Sequence, residues 1–248
     1  MTFADDGALA VWLAEQAGTE LLEVRRGGLE GKALKDAGDA ASQAVLARLL
    51  AEHRPGDAVL SEEAADDAAR IAAERVWIID PLDGTREFSE PPRDDWAVHV
   101  ALWERGDLTV GAVAQPALGE TFSTASPLTV PSRGEGPVRI AVSRSRPPAF
   151  VGELAEEIGA ELVPMGSAGV KVMSVVRDLT DVYVHAGGQY EWDSAAPVVV
   201  ARAAGLHTSR ADGRPLEYNR ENPWLPDLLV CRPELAETVA SFVAGRLG

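Results

Sequence analysis

Val76-Trp77-Ile78-Ile79-Asp80-Pro81-Leu82-Asp83-Gly84-Thr85 runs four apolar residues straight into two aspartates. An apolar run without alternation predicts a strand covered on both faces. Loops at the ends of such strands are where α/β proteins place ligands. Proline fixes φ at the second position of a tight turn, so the spacing predicts that the Cα atoms of Asp80 and Asp83 lie within about 7 Å. Two carboxylates that close repel unless a cation sits between them. Hard oxygen donors of this kind suit Mg²⁺. Gly84 and Thr85 add open backbone N–H groups and a hydroxyl, which suit a phosphate oxygen. Asp, Pro and Gly are also common turn formers. The whole hexapeptide directly behind a buried strand favours a site over a plain surface turn.

Upstream, Ala10, Leu13, Ala17, Leu21 and Val24 recur at helical spacing and predict a helix over 7–24 that stops at Gly27-Gly28. A second helix is predicted from near Asp39 through Leu50, a strand over 58–60 and a short helix over 64–73. Downstream, 96–104, 108–114 and 121–124 read as strands. Residues 126–136, rich in Pro and Gly, read as a linker. Beyond it, strands at 138–142, 160–163, 181–184 and 228–230 alternate with helices at 149–158, 168–177, 193–204 and 233–246. The fold class is α+β passing into α/β. Residues 1–134 form an N-terminal α+β half carrying most of the acidic site, and 135–248 a C-terminal α/β half that completes it.

Composition narrows the function. Hydrophobic residues make up 46% and charged residues 25%, ordinary for a soluble globular chain. The net charge of -16 argues against a nucleic acid polymer or an anionic membrane as partner. No apolar run reaches the roughly 18 residues of a membrane span. Met1-Thr2-Phe3-Ala4-Asp5-Asp6 lacks the basic and apolar regions of a signal peptide. The single cysteine, Cys231, forms no intrachain disulfide, so a cytoplasmic location is expected.

The hexapeptide invites one confusion. Phosphatases of the haloacid dehalogenase type use Asp-x-Asp-Gly-Thr with the first Asp as nucleophile. Here that position is Pro81, which disfavours a phospho-aspartate mechanism. Three other features fit together. Residues 77–88 resemble the first signature of the inositol monophosphatase superfamily. Glu191-Trp192-Asp193-Ser194-Ala195-Ala196-Pro197, followed by Ala203-Ala204-Gly205, resembles the second. Ser61-Glu62-Glu63 resembles its Ser-Glu-Glu element. The resemblance implies a layered αβαβα sandwich of the sugar-phosphatase type, lithium-sensitive and commonly a homodimer. It also implies two or three Mg²⁺ ions held by Glu62, Asp80, Asp83 and Asp193, with the Leu82 carbonyl as a further ligand. Gly84 and Thr85 would hold the phosphate, Glu62 and Thr85 would orient or deprotonate the attacking water, and Asp39 would support it. The family has Thr three residues before that Asp, whereas this chain has Asp36. From the residues alone, Glu62 reads equally as a helix-terminal acid, and Asp39 and Asp193 as helix caps.

Arg86-Glu87-Phe88 resembles the relatives that remove the 3′-phosphate of 3′-phosphoadenosine 5′-phosphate. So do Gly166-Ser167 with Lys171, Gln189-Tyr190-Glu191-Trp192-Asp193 and Val142-Ser143-Arg144-Ser145-Arg146. The expected substrate is that small-molecule phosphate ester. Leu82, Asp83, Gly84, Thr85, Arg86, Ser167, Lys171 and Asp193 are expected to contact it, Arg144 is a further candidate cation, and Arg146 reads as surface charge. Inositol 1-phosphate, fructose 1,6-bisphosphate or broad specificity is the alternative. A non-catalytic nucleotide or metal sensor ranks below, because all four carboxylates are present. His53, His99, His185 and His207 show no ligand spacing and read as ordinary positions.

Overall fold

Two long helices open the chain. In α1 (Asp6–Arg26), Leu9, Leu13, Ala17 and Leu21 share a buried face, and the Asp5 carboxylate caps the start by accepting from Ala8 N at 2.8 Å. The second helix, α2 (Gly31–His53), begins two turns before the predicted start near Asp39. Gly38 obscured it by interrupting the apolar period. Asp39 therefore lies inside the helix, and its reading as a cap is corrected. This computed structural model describes residues 3–246, so the first two residues of the acidic N-terminus lie outside it.

The first sheet has the order β1-β2-β3-β4-β5. Strand β1 (Ala58–Ser61) runs parallel to β2 (Arg75–Asp83); β3 (Ala97–Glu104), β4 (Asp107–Gln115) and β5 (Glu120–Ser123) follow antiparallel. The helix expected over 64–73 is a five-residue 3₁₀ turn, Ala68–Ala72. A one-turn helix not foreseen in the sequence, α3 (Thr85–Phe88), follows β2.

The second sheet has the order β7-β6-β8-β10-β9. It contains β6 (Arg139–Ser143), β7 (Glu161–Met165), β8 (Val182–Tyr190), β9 (His207–Ser209) and β10 (Trp224–Cys231). Strand β6 is parallel to β7 and β8, whereas β8, β10 and β9 pair antiparallel. Its helices are α4 (Phe150–Ile158), α5 (Ala168–Val176), α6 (Glu191–Ala203) and α7 (Ala236–Ala244). The three-residue β9 carries too little pattern to read from sequence.

Alternation along β2 assigns the layers. Trp77 and Ile79 pack with the leucines of α1 and α2. Val76 and Ile78 face the other way, into a core shared with Val172 of α5, Ala195 of α6 and Leu228 of β10. A third core joins Ile140, Val182 and Leu229 to α4 and α7. The order is thus helix, sheet, helix, sheet, helix: the layered αβαβα sandwich. Each fully buried aliphatic side chain contributes about 1.5–3 kcal/mol. The middle layer, α5 and α6, draws on both sheets and ties the two halves of the chain together.

Candidate active site

In a regular strand, residues 80 and 83 would face opposite sides, because side chains alternate. Strand β3 advances only two residues across the same step: Asp80 pairs with His99 and Asp83 with Ala97. The extra residue on β2 makes a bulge, which re-aims side chains. The predicted tight turn is corrected accordingly: β2 continues through Asp83, with Pro81 and Leu82 in the bulge. Proline is tolerated there because the ladder is already interrupted. Ser42 Oγ of α2 donates to the Pro81 carbonyl at 2.6 Å, and Leu82 N donates to Asp80 Oδ1 at 3.0 Å. The chain then leaves through Gly84 at φ +86°, a conformation that favours glycine.

Asp80, Asp83 and Asp193 each present a carboxylate oxygen within 4.8 Å of the others. Asp193 comes from the opposite side, on α6. The helix begins at Glu191, so Asp193 is its third residue and not the N-cap the sequence suggested. Its carboxylate still serves the helix start by accepting from Tyr190 N at 2.6 Å. Asp83 is anchored by the head of α5: Oδ2 accepts from Ser167 Oγ and from Gly169 N at 2.6 Å, whereas Oδ1 takes only Ala168 N at 3.2 Å. Glu62 stands just past β1 with an accessible side chain, its carboxyl against Asp80.

Crowding these acids favours their protonated forms. Asp80 is raised well above the usual carboxylate range, first by burial and then by Glu62, Asp83 and Asp193. Asp193 is pushed up to about 7 by burial and by Asp83. Glu62 also reaches about 7, through loss of solvent around its carboxyl and then the charges of Asp193 and Asp83. Asp80 Oδ2 is buried with no hydrogen-bond partner. An orphaned carboxylate oxygen facing two more acids fits a hard divalent cation.

Beside the cluster, Thr85 Oγ1 donates to the Leu82 carbonyl at 3.1 Å and approaches Asp39 Oδ1 at 3.4 Å. Asp39 is raised to about 6 by burial and by Glu63. Asp36, one turn earlier on α2, faces solvent and pairs with Lys32. The structure thus brings Asp39, and not Asp36, to the site.

A cleft of about 600 Å³ opens over Asp83 and Asp193. Glu62, Gly84, Thr85, Arg86, Ser167 and Lys171 all border it. Lys171 is buried, however, and its Nζ donates to the Gly166 and Ser167 carbonyls at 3.0 and 2.5 Å. It therefore holds the α5 entry loop while lining the floor. Burial pushes its pKa down. Arg86 pairs with Glu90, and Arg144 is engaged by Glu87 and Glu90, each at 2.7 Å. Arg146, read from sequence as surface charge, borders the cleft and has no ion-pair partner among the described residues.

Sequence reasoning also missed the aromatic wall. Tyr190 stacks on Trp192 with centroids 4.6 Å apart, and Trp224 meets Tyr190 edge-on at 5.3 Å. Tyr190 and Trp224 are 42% and 44% exposed, unusual for such large rings. Trp224 starts β10, over thirty residues from Tyr190, so no local signal joins them. His185 borders the same cleft, with Nε2 2.9 Å from the Gly188 carbonyl. His99 is wholly buried beneath the carboxylates.

Residues 8–244 match the Inositol monophosphatase family. The chain is 51% identical over 238 residues to the 3′-phosphoadenosine 5′-phosphate phosphatase of Mycobacterium bovis, covering 92% of this chain and 89% of that protein. It is 29% identical to the 3′(2′),5′-bisphosphate nucleotidase CysQ of Escherichia coli, covering 76% and 81%. The crystal structure of CysQ from Bacteroides thetaiotaomicron superposes with a TM-score of 0.79 at 24% identity, over 93% of this chain and 98% of that one. The chain belongs to the inositol monophosphatase family, whose members are metal-dependent. Among the described residues no helix is long and apolar enough to cross a membrane.

Proposed function

For a chain of this family, we propose a Mg²⁺-dependent phosphomonoesterase that removes the 3′-phosphate of 3′-phosphoadenosine 5′-phosphate in the cytoplasm. The observation that carries the substrate reading is the composition of the cleft. One wall is acidic and suits cations. The other offers exposed aromatic faces, on which a base can stack, and the free guanidinium of Arg146 for a second phosphate. The names of the relatives above point the same way. An inositol phosphate would use neither the aromatic faces nor a second anion site.

Glu62, Asp80, the Leu82 carbonyl, Asp83 and Asp193 would hold the metal. When bound, Mg²⁺ supplies positive charge to the phosphoryl oxygens and lowers the pKa of water. The protein's own groups do the rest. The N–H groups at Gly84 and Thr85, at the head of α3, receive the phosphate oxygens. Thr85 Oγ1, held between the Leu82 carbonyl and Asp39, orients the attacking water. Asp39, with a pKa of about 6, is ionised at neutral pH and can accept the Thr85 hydroxyl hydrogen bond in place of the Leu82 carbonyl, which frees an oxygen lone pair for the water. Glu62 receives the proton of the water and returns it to the departing sugar oxygen as the bond from phosphorus to that oxygen breaks. Arg86 and Ser167 border the departing sugar.

The test is kcat/KM for the nucleotide bisphosphate, inositol 1-phosphate and fructose 1,6-bisphosphate, each with Mg²⁺ and with EDTA. A tenfold or greater preference for the nucleotide, lost in EDTA, is expected. A tenfold preference for inositol 1-phosphate would sink the substrate assignment. Phosphate release unaffected by EDTA would sink the metal.

A further inference from the structure

His99 is the third residue of β3, 0% exposed. Its ring touches the supports of the acidic site on three sides. Nδ1 is 3.1 Å from the Trp192 carbonyl, in the first turn of α6 and one residue before Asp193. Nε2 is 3.3 Å from Asp83 Oδ2, and Nδ1 is 4.0 Å from Asp80 Oδ2. The third side is Gly169 of α5, where a Cβ would fall 2.0 Å from Nε2. Gly169 N is also a donor to Asp83 Oδ2, so the missing side chain lets helix and imidazole reach the same oxygen.

Asp80 and Asp83 sit on β2 and Asp193 on α6, elements from opposite halves of the chain. A divalent cation needs their oxygens at fixed separations, and donors in folded sites hold position only when their neighbours do. We infer that His99 is a positioning residue for this site. Its Nδ1–H holds the Trp192 carbonyl, and with it Asp193, in register with β2. Nε2, then without a proton, makes no hydrogen bond to Asp83 Oδ2 and only fills the space beside it, so the support runs through Nδ1. The inference rests on the metal-binding reading of the three aspartates.

The test is a Mg²⁺ titration of the metal-free full-length chain, followed by thermal unfolding and, in parallel, by activity. His99→Leu should raise the Mg²⁺ concentration for half-maximal thermal stabilisation by about tenfold or more, the usual loss when a group supporting a metal ligand is removed. At saturating Mg²⁺, kcat should recover most of its value. His99→Asn, whose amide nitrogen takes the place of Nδ1, should restore Mg²⁺ affinity to within about threefold of wild type. Should the Leu variant not fold, His99→Ser, which cannot reach Trp192, takes its place beside the Asn variant. Unchanged Mg²⁺ dependence in Leu or Ser, with only a lower Tm in EDTA, would show packing alone and overturn the inference. Equal losses in Asn and Leu would also overturn it. A wild-type protein that Mg²⁺ does not stabilise would remove the metal reading, and this inference with it.

Discussion

One strand in each sheet, β2 and β8, ends in the same device, and the two use it for opposite chemistry. From Asp80 to Asp83 strand β2 advances three residues while β3 advances two; from Ala186 to Gln189 strand β8 advances three while β10 advances two. The bulge in β2 is filled by Pro81 and Leu82, is buried, and turns carboxylates into the cleft. The bulge in β8 is Gly187-Gly188, both at positive φ, and makes room for a ring: a Cβ on Gly188 would fall 1.7 Å from Trp224 Cζ2. One bulge is acidic and closed, the other uncharged and open. The two bulges lie on different halves of the chain, and the effects of changing them should separate.

The largest effect should come from the acidic bulge. Asp83→Asn keeps the shape and most acceptors but removes a charge among three facing acids. Phosphate release should fall by roughly a thousandfold for every substrate, the size of loss expected when a charge-stabilising group is removed. Circular dichroism should remain native. Near-wild-type turnover would show that the bulge is structural only.

The glycine bulge should give a smaller and selective loss. Gly188→Ala drives a methyl into Trp224, and Trp224→Ala removes the ring. Stacking of a base on an aromatic face is worth about 1–3 kcal/mol, so kcat/KM for the nucleotide should drop about tenfold or more. Inositol 1-phosphate should change less than about twofold. Equal losses on both substrates would mean that this wall does not read the base. Arg146→Ala should raise KM for the bisphosphate by a few-fold to about tenfold and leave the monophosphate unchanged. Arg144→Ala should instead lower Tm, because its guanidinium bridges Glu87 and Glu90 and its loss leaves the buried Glu87 without an ion pair, whereas Glu90 keeps Arg86.

The same contrast explains what could be read from the sequence. Asp80, Asp83 and Thr85 announce themselves because they fall within one hexapeptide. Glu62 and Asp193 are legible through motifs, although Asp193 sits at the third helical position and not at the cap. The bulge in β2 was hidden, because Asp-Pro-Leu-Asp is written identically for a turn and a bulge. Only the pairing to His99 and Ala97 decides between them. The aromatic wall and His99 depend on contacts across 34 and 93 residues, from Tyr190 to Trp224 and from His99 to Trp192. Nothing local marks them. Arg144 and Arg146 are indistinguishable as letters; the position of Glu87 decides which is engaged and which faces the cleft.

The smallest effect is a matter of pH. In the metal-free protein the Glu62 carboxyl titrates near 7, above the 4.5 of an unperturbed glutamate. A carboxyl raised in the folded state contributes stability that is fully present below its unfolded pKa and is lost as pH rises through the folded one. In EDTA, wild type and Glu62→Gln should therefore unfold together below pH 4.5, where both carry a neutral group. By pH 8 the wild-type carboxylate faces Asp193 and Asp83, and the Gln variant should be the more stable. Solvent reaches Glu62 and screens the repulsion, so the gap should be about 1 kcal/mol, or about 2–4 °C. Saturating Mg²⁺ should reverse its sign at pH 8, because the cation then binds four acids in the wild type and three in the variant. A gap independent of pH, or one that Mg²⁺ leaves unchanged, would place Glu62 outside the cluster and confine the acidic site to Asp80, Asp83 and Asp193.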